Sequence, residues 1–383
     1  MKVDAVIVGA RCAGAATALL LARAGARVVV VDRGVYGSDT TSTHALMRGG
    51  VLQLQRWGVL PAIVAAGTPP VQQTTFSYPD EDVTVAIEPK AGVSALYAPR
   101  RALLDRVLVD AAAASGADVR YGALVDDVIR DDRGRVCGIV AADNGRRLHI
   151  EAGIVIGADG LYSTIAQRVG ADVRVRCRHA GGVLYSYWLD LPVDGYYWRF
   201  DSGTGMGAIP TNDGATCVFG AVPASGFRAT VAGHPASAYR RLLRQAAPAF
   251  EPRLAAARQV EPVRGFGGHP GFIRQSVGPG WALVGDAAYF KDPITAHGIT
   301  DALRDAELLA RAITQGTAAA FADYEATQLN LSQRLLEVTD EIASFAWSSR
   351  EVKTLHRDFS REMSKEVQAL AALEALPQPA VCR

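Results

Sequence analysis

Six residues near the start, Gly9-Ala10-Arg11-Cys12-Ala13-Gly14, have the types and spacing of a phosphate-cradling turn. Such a turn uses one glycine to bend tightly, one where backbone meets a pyrophosphate and one for close helix packing. Gly9 and Gly14 hold the outer places and Arg11 stands at the middle one. Its side chain must therefore point away, or lend its charge to a phosphate or a second ligand. Asp32, closing the next apolar run, has the place of a ribose-binding acid. The pattern serves FAD and NAD alike. Two further turns follow apolar runs: Asp159-Gly160, with Ser163 after it, and Gly285-Asp286. The loop Lys291-Asp292-Pro293-Ile294-Thr295-Ala296-His297-Gly298 then leads into an amphipathic run from Ile299.

These residues need elements to hold them. Residues 3–8 are a short β-branched run suited to a buried parallel strand. Residues 13–25 are rich in Ala and Leu and stop at Gly25, as a helix would. Residues 28–31 make a second strand, so the chain opens as β-α-β, the start of a doubly wound α/β unit. Helical periodicity returns at 45–65 and 99–116, and 73–88 alternates like strands. Residues 117–157 read as strands joined at Asp131-Asp132-Arg133-Gly134 and at Asp143-Asn144-Gly145, the latter a hairpin signal. From about 172 to 264 the chain turns aromatic, with Tyr185, Tyr187, Trp188, Tyr196, Tyr197, Trp198 and Phe200. That stretch reads as an antiparallel sheet inserted into the α/β frame. Residues 281–284 and a helix from near Gly298 resume the frame, and 318–376 read as helical to the end.

The chain has 383 residues, 49% hydrophobic and 21% charged, with a formal charge of +1. This composition excludes a mostly disordered chain and removes any bulk electrostatic argument for nucleic acid or an anionic membrane. Cys12, Cys137, Cys177, Cys217 and Cys382 are scattered and form no C-x-x-C pair, so neither a disulfide framework nor a metal site is expected. Asp4 and Arg11 interrupt any leader-like apolar core, and no run is long enough to span a membrane. A soluble, cytoplasmic protein is expected.

The order of amino-terminal fingerprint, mid-chain Asp159-Gly160 and late Gly285-Asp286 resembles the FAD-dependent aromatic hydroxylases. These are group A flavoprotein monooxygenases with the para-hydroxybenzoate hydroxylase fold, related to flavin-dependent halogenases and polyprenyl reductases. The resemblance covers about residues 3–345. It implies an α/β fold: a Rossmann-like FAD-binding domain of glutathione-reductase type, an inserted antiparallel-sheet substrate domain, and C-terminal helices. The implied divisions are 1–72, 97–171 and 266–317 for FAD, 73–96 and 172–265 for substrate, and 318–383 for the helical region. Gly9, Arg11, Cys12, Ala13 and Gly14 would lie along the pyrophosphate, with His44 nearby. Asp32 would bind the adenosine ribose, with Arg33 beside it. Arg101 matches a family arginine near the cofactor, and Val125 would meet the adenine through its backbone. Asp159 would serve both FAD and NAD(P)H; the family's arginine three residues after the serine is Ala166 here, with Arg168 nearby. Gly285 and Asp286 would bind the ribityl chain, and Pro293, Ala296, Gly298 and Ile299 the flavin. Pro293, Thr295 and His297 are the candidates for the catalytic flavin face. Tyr185, Tyr187, Tyr197, Arg199 and Pro210 are candidates for a wall around a flat guest.

The activity implied is hydroxylation of an aromatic or polyketide-like small molecule through a flavin hydroperoxide. NADH or NADPH would reduce the flavin, molecular oxygen would be the co-substrate, and the protein would be a monomer or homodimer. The alternative is a flavin-dependent reductase or dehydrogenase of a natural-product intermediate. A halogenase fits less well. Its Trp-x-Trp-x-Ile-Pro motif would fall at 205–210, where Ile209 and Pro210 are present but Gly205 and Gly207 replace the tryptophans. Only Lys2 and Lys90 could supply its lysine from the first third of the chain. A non-catalytic flavin-fold binding protein is the remaining reading.

Overall fold

A parallel strand covered on both faces must be apolar on both, and the first strand is. In the computed structural model, which describes residues 1–143, 146–232, 234–374 and 376, β1 (Lys2–Val8) sends Ala5 and Ile7 to one side and Val6 and Val8 to the other. It lies between β2 (Val28–Asp32) and β8 (Arg146–Gly157), parallel to both. The full order is β17 (Val277–Gly278), β18 (Trp281–Leu283), β8, β1, β2, β5 (Asp118–Tyr121). β6 (Ala123–Arg130) and β7 (Val136–Asp143) extend the sheet from β8 as an antiparallel ribbon. Residues 144–145 of the expected Asp-Asn-Gly turn lie outside the described residues; β7 and β8 pair antiparallel on either side of it. One face is covered by α1 (Cys12–Arg23), α2 (Arg48–Arg56), α3 (Leu60–Ala65), α4 (Arg101–Ala114) and α9 (Gly298–Gln315). The other packs on β6, β7 and α5 (Thr164–Val169).

A second eight-stranded sheet runs β14 (Arg258–Gln259), β10 (Gly181–Leu189), β13 (Thr216–Pro223), β12 (Thr204–Pro210), β11 (Tyr196–Asp201), β3 (Gln73–Ser77), β4 (Asp82–Ala86), with β15 (Arg264–Phe266) also on β10. β9 (Val173–Arg176), β16 (Phe272–Arg274) and β19 (Tyr289–Phe290) form a small third sheet. Two expectations are corrected. The stretch 172–264 is not strand throughout: α6 (Ala224–Thr230), α7 (Pro235–Ala246) and α8 (Glu251–Ala256) interrupt it. Pro235 opens α7 at its first turn, and Tyr239, Leu242 and Leu243 then fall at helical spacing against the sheet's outer face. Nor is the sheet wholly antiparallel, because β3 joins β11 in parallel. The helical tail is also broken, into α10 (Ala318–Ile342) and α11 (Ser349–Ala371). Phe345 takes a left-handed φ of 55° between them, and a capping box of Ser348 and Glu351 starts α11. No helix among the described residues is long and apolar enough to cross a membrane.

Alternation along the second sheet divides its residues. Tyr185, Tyr187, Tyr196, Trp198, Phe200, Ile209 and Phe219 share one buried cluster with Ala45, Ala98, Ile294 and residues of α10 and α11. Leu184, Trp188, Met206 and Val218 face the other way, onto α7.

Candidate functional site

The first turn is shaped by close approach. Gly9 has φ 106°, and a Cβ there would lie 2.4 Å from the Ala158 carbonyl oxygen; a Cβ on Gly14 would lie 1.8 Å from the Gly9 oxygen. Only glycine fits either place. The start of α1 has no side-chain cap and no acid in its first turn, so its leading N–H groups are available to an anion. Arg11 leaves the turn and reaches Asp105 at 3.1 Å. Cys12 Sγ lies 3.0 Å from the same carboxylate, and burial drives its pKa up. Arg101 grips Asp105 at 3.1 Å. Asp32 accepts from the Ala10 and Gly34 N–H groups at 2.7 and 2.6 Å, so it pins the turn itself, while Arg33 is exposed.

Val125 is buried in β6 at an irregularity in the pairing with β7. Asp159 is spent on structure: it accepts from Ser163 Oγ at 2.5 Å and from the Thr164 and Ile165 N–H groups, capping α5. These bonds fix the Asp159 carboxylate at the start of α5. Gly285 takes φ 61° and a Cβ there would press 2.8 Å from Ala13, so the Gly285-Asp286 turn sits directly on α1. Asp286 is half-buried and has no hydrogen-bond partner among the described residues. Burial pushes its pKa up to about 6 against the pull of the Arg101 charge. A free carboxylate beside two glycine turns is what a polyhydroxyl chain would use.

The loop after β19 is held from below. Asp292 accepts from the Gly181 N–H at 2.5 Å and the Ile294 N–H at 2.9 Å, and burial raises its pKa to about 7. Pro293 opens a short 3-10 turn, Thr295 lies 3.4 Å from Thr339, and Ala296 takes a left-handed φ of 50°. Gly298 starts α9, is exposed, and a Cβ there would meet nothing within 4 Å. Ile299 behind it is buried. His297, expected on the flavin face, is corrected: its side chain is 0% exposed, with Nδ1 3.1 Å from Asp301 and Nε2 3.0 Å from Glu366. His297, Asp301 and Glu366 converge to within 4.8 Å, and two cationic side chains join them. Lys291 pairs with Asp301, and Arg304 contacts Asp301, Asp305 and Glu366.

Where the second sheet meets the first, Tyr185 OH accepts from the Ser42 N–H at 3.1 Å. His44 is buried with φ 49°, its Nδ1 3.1 Å from the Ala98 carbonyl and its Nε2 2.9 Å from Tyr187 OH. Because a carbonyl only accepts, Nδ1 carries the proton and Tyr187 donates to Nε2. Burial, with help from the Arg100 charge, lowers the His44 pKa to about 3. The Arg100 guanidinium lies 3.7 Å above the Tyr187 ring and pairs with Asp39 and Glu261, which Arg264 also bridges. Tyr197, Arg199 and Pro210 are corrected as members of this wall. Tyr197 stacks on Phe250 on the outer face, and Arg199 ties down Tyr78 O at 2.7 Å. Pro210, one residue past inward Ile209, falls outward by alternation. The sequence reading missed Asp39, Arg100, Glu261, Arg264, Lys291, Asp301, Arg304 and Glu366. Only α9 carried a signal: Asp301, Arg304 and Asp305 interrupt its apolar stripe at helical spacing.

A parallel sheet with a glycine turn at its first strand end, a late Gly-Asp turn on the same helix and an inserted aromatic sheet is a flavin-binding class of fold. A family model described as the FAD binding domain matches residues 2–339, and the chain belongs to that family of flavin-dependent oxidoreductases. The digeranylgeranylglycerophospholipid reductase of Methanothrix thermoacetophila is 30% identical over 343 residues, 82% of this chain and 80% of that one. Among solved structures, the flavin-dependent brominase Bmp2 aligns with TM-score 0.80 and 18% identity, covering 97% of this chain and 94% of the other. PqsL, described as a probable FAD-dependent monooxygenase from Pseudomonas aeruginosa, aligns with TM-score 0.77 and 20% identity, covering 95% and 100%. At these identities the solved structures share the fold.

Proposed function

We propose that the chain is an FAD-dependent monooxygenase of a small aromatic or polyketide-like molecule, with NADH or NADPH as reductant and oxygen as co-substrate. The observation that carries this reading is the aromatic inner face of the second sheet, which is buried against Ile294 of the flavin loop and against Ala45 and Ala98 of the first unit. Such a face excludes water and suits a flat ring. FAD, when bound, supplies the redox and oxygen chemistry. The first unit, 1–72, 97–171 and 266–317, would hold it. Gly9, Gly14 and the uncapped start of α1 would take the pyrophosphate, Asp32 the ribose, the Val125 backbone the adenine and Asp286 the ribityl chain. The Gly298 N–H, at a helix N-terminus with about half a unit of positive charge, would face the pyrimidine. His44 and Arg100 fix Tyr187 from its hydroxyl and its ring face, and Tyr187 in turn would set the substrate's depth.

Asp286→Ala should weaken FAD binding by about 1.5–3 kcal/mol, the range for hydrogen bonds to a charged group. Fluorescence titration of the apoprotein measures it, and unchanged affinity would move the ribityl chain elsewhere. Oxygen uptake by the FAD-loaded protein with NADH or NADPH, stimulated by an aromatic substrate, tests the reaction. A second reading, reduction of an isoprenoid-like double bond, is favoured by the 30% identity to a named reductase over 82% of the chain. Anaerobic turnover would select it. Halogenation loses support at Gly207, where even a Cβ would stand 2.3 Å from Phe219, leaving no room for a tryptophan.

A further inference from the structure

Lys291, His297, Asp301, Arg304, Asp305 and Glu366 form a charge network behind the flavin loop with side chains at most 4% exposed. Glu366 comes from α11, beyond residue 339 where the family match ends. Its Oε1 accepts from Arg304 at 2.8 Å, and its Oε2 sits 3.0 Å from His297 Nε2. Two glycines of α2 let the helices close on it. A Cβ on Gly49 would lie 3.2 Å from Glu366 Oε2, and one on Gly50 would lie 2.9 Å from Thr300 Oγ1. Taking a carboxylate this far from water costs several kcal/mol unless it is matched, so α11 must be repaid at the point where the flavin loop becomes α9.

The match is visible in the charges. Lys291, Arg304 and a protonated His297 balance Asp301, Asp305 and Glu366; a neutral ring would leave one negative charge uncompensated. Burial and the Lys291 ammonium oppose charge on the ring, while Glu366 and Asp301 overcome them and hold its pKa above the ordinary histidine value. Lys291 Nζ also lies 3.0 Å from Nδ1 but donates to Asp301 Oδ2, leaving the Nδ1–H for Asp301 Oδ1. The other groups facing the cluster are Tyr289 beneath Lys291 and Arg304, Gln328 and Ser332 from α10, Phe359 from α11, and Asp286, which feels Lys291, Asp301 and Asp305 through space.

We propose that His297 and Glu366 are positioning residues for the flavin: the pair anchors the first turn of α9 and keeps the buried network from carrying a net negative charge behind the Gly298 N–H, so that α11 helps set the potential of the bound flavin. This rests on the reading that the flavin pyrimidine lies at Gly298. An uncompensated negative charge there would oppose the more negative, reduced ring, whereas the matched network leaves the partial positive charge of the helix start unopposed.

The experiment is a dye-equilibrated reductive titration of the FAD-loaded full-length protein over a pH series that starts below the ordinary histidine value and runs upward to the protein's alkaline limit. His297→Gln should lower the reduced-to-oxidised ratio at a fixed solution potential about tenfold, about 30 mV for a two-electron couple. It should also abolish the inflection that His297 gives the potential–pH curve, and Glu366→Gln should move that inflection to lower pH. Should Glu366→Gln fail to fold, the His297→Gln curve decides alone. If both variants bind FAD with the wild-type ratio and curve while Gly298→Val shifts the ratio or loses FAD, the network is scaffold only; the inference falls and the flavin placement stands. If Gly298→Val also leaves ratio and occupancy unchanged, the flavin lies elsewhere and both readings fall.

Discussion

Two buried histidines sit in two polar clusters, and their pKa values are pushed in opposite directions. His297 is enclosed by Asp301 and Glu366, with the charges in contact with it also buried, and its pKa is raised. His44 lies under Arg100, beside a quartet of Asp39, Arg100, Glu261 and Arg264 whose side chains are 19–33% exposed, and its pKa is lowered. Burial works against a proton on both rings. Two carboxylates touch the first ring, whereas a phenol and a backbone carbonyl touch the second. Burial alone therefore does not set the state; the atoms that meet the ring do. The first cluster is closed and each ion must be matched within it. The second is partly exposed at its edge, and Asp39 and Glu261 each pair with both arginines, so no single pair carries the whole charge match.

The largest expected effect breaks the closed cluster. Arg304→Ala would strand Asp301, Asp305 and Glu366 without their shared cation and should cost about 3–5 kcal/mol in urea unfolding of the FAD-loaded protein. A loss under about 1 kcal/mol would place this cluster with the partly exposed one. The next sharpens the contrast of signs. The folded pKa of His44, about 3, lies below its unfolded value of 6.5, so its contribution is complete above 6.5 and is lost as pH falls toward 3. At about pH 5 that loss is about 2 kcal/mol, and His44→Gln should flatten the acid limb of a stability–pH curve. His297, with its folded pKa raised, contributes fully below 6.5 and loses that contribution as pH rises through the folded value. His297→Gln should therefore alter the alkaline limb; a change in the same limb for both variants would refute the assignment. The smallest effect is at the exposed edge. Arg264→Ala should cost less than about 1 kcal/mol, and less still in high salt.

The turns were legible because their demands are local. Gly9, Gly14 and Gly285 are glycine for contacts made within a few ångströms of their own Cα, and strand-end position betrays them. The two sheets were legible from β-branched and aromatic runs. Partners were not. Nothing near His297 in sequence announces Glu366, because helical periodicity shows which face of α11 is buried and not what it is buried against. Period-two alternation could have separated Tyr197 and Arg199 from Tyr196, Trp198 and Phe200, but only the packing of α7 shows which face is the outer one. The bonds of Asp159 to the start of α5 were not legible either, because a strand-terminal acid can cap the next helix as readily as bind a ligand.

The parallel pairings have a consequence for how this chain is made. β1 is made before either of its neighbours, yet the second of them, β8, ends at Gly157, and β18 beyond it ends at Leu283. β3 likewise waits for β11, whose register begins with Tyr196 against Thr74. Contacts of such separation close slowly. Until they do, the β3–β4 hairpin is open on both sides: at β3, which awaits β11, and at β4, whose Val83 and Val85 stay at an edge even when folding is complete. Nascent chains are thus most exposed to self-association between the emergence of residue 86 and that of residue 201, and slower elongation over that interval would lengthen the hazard.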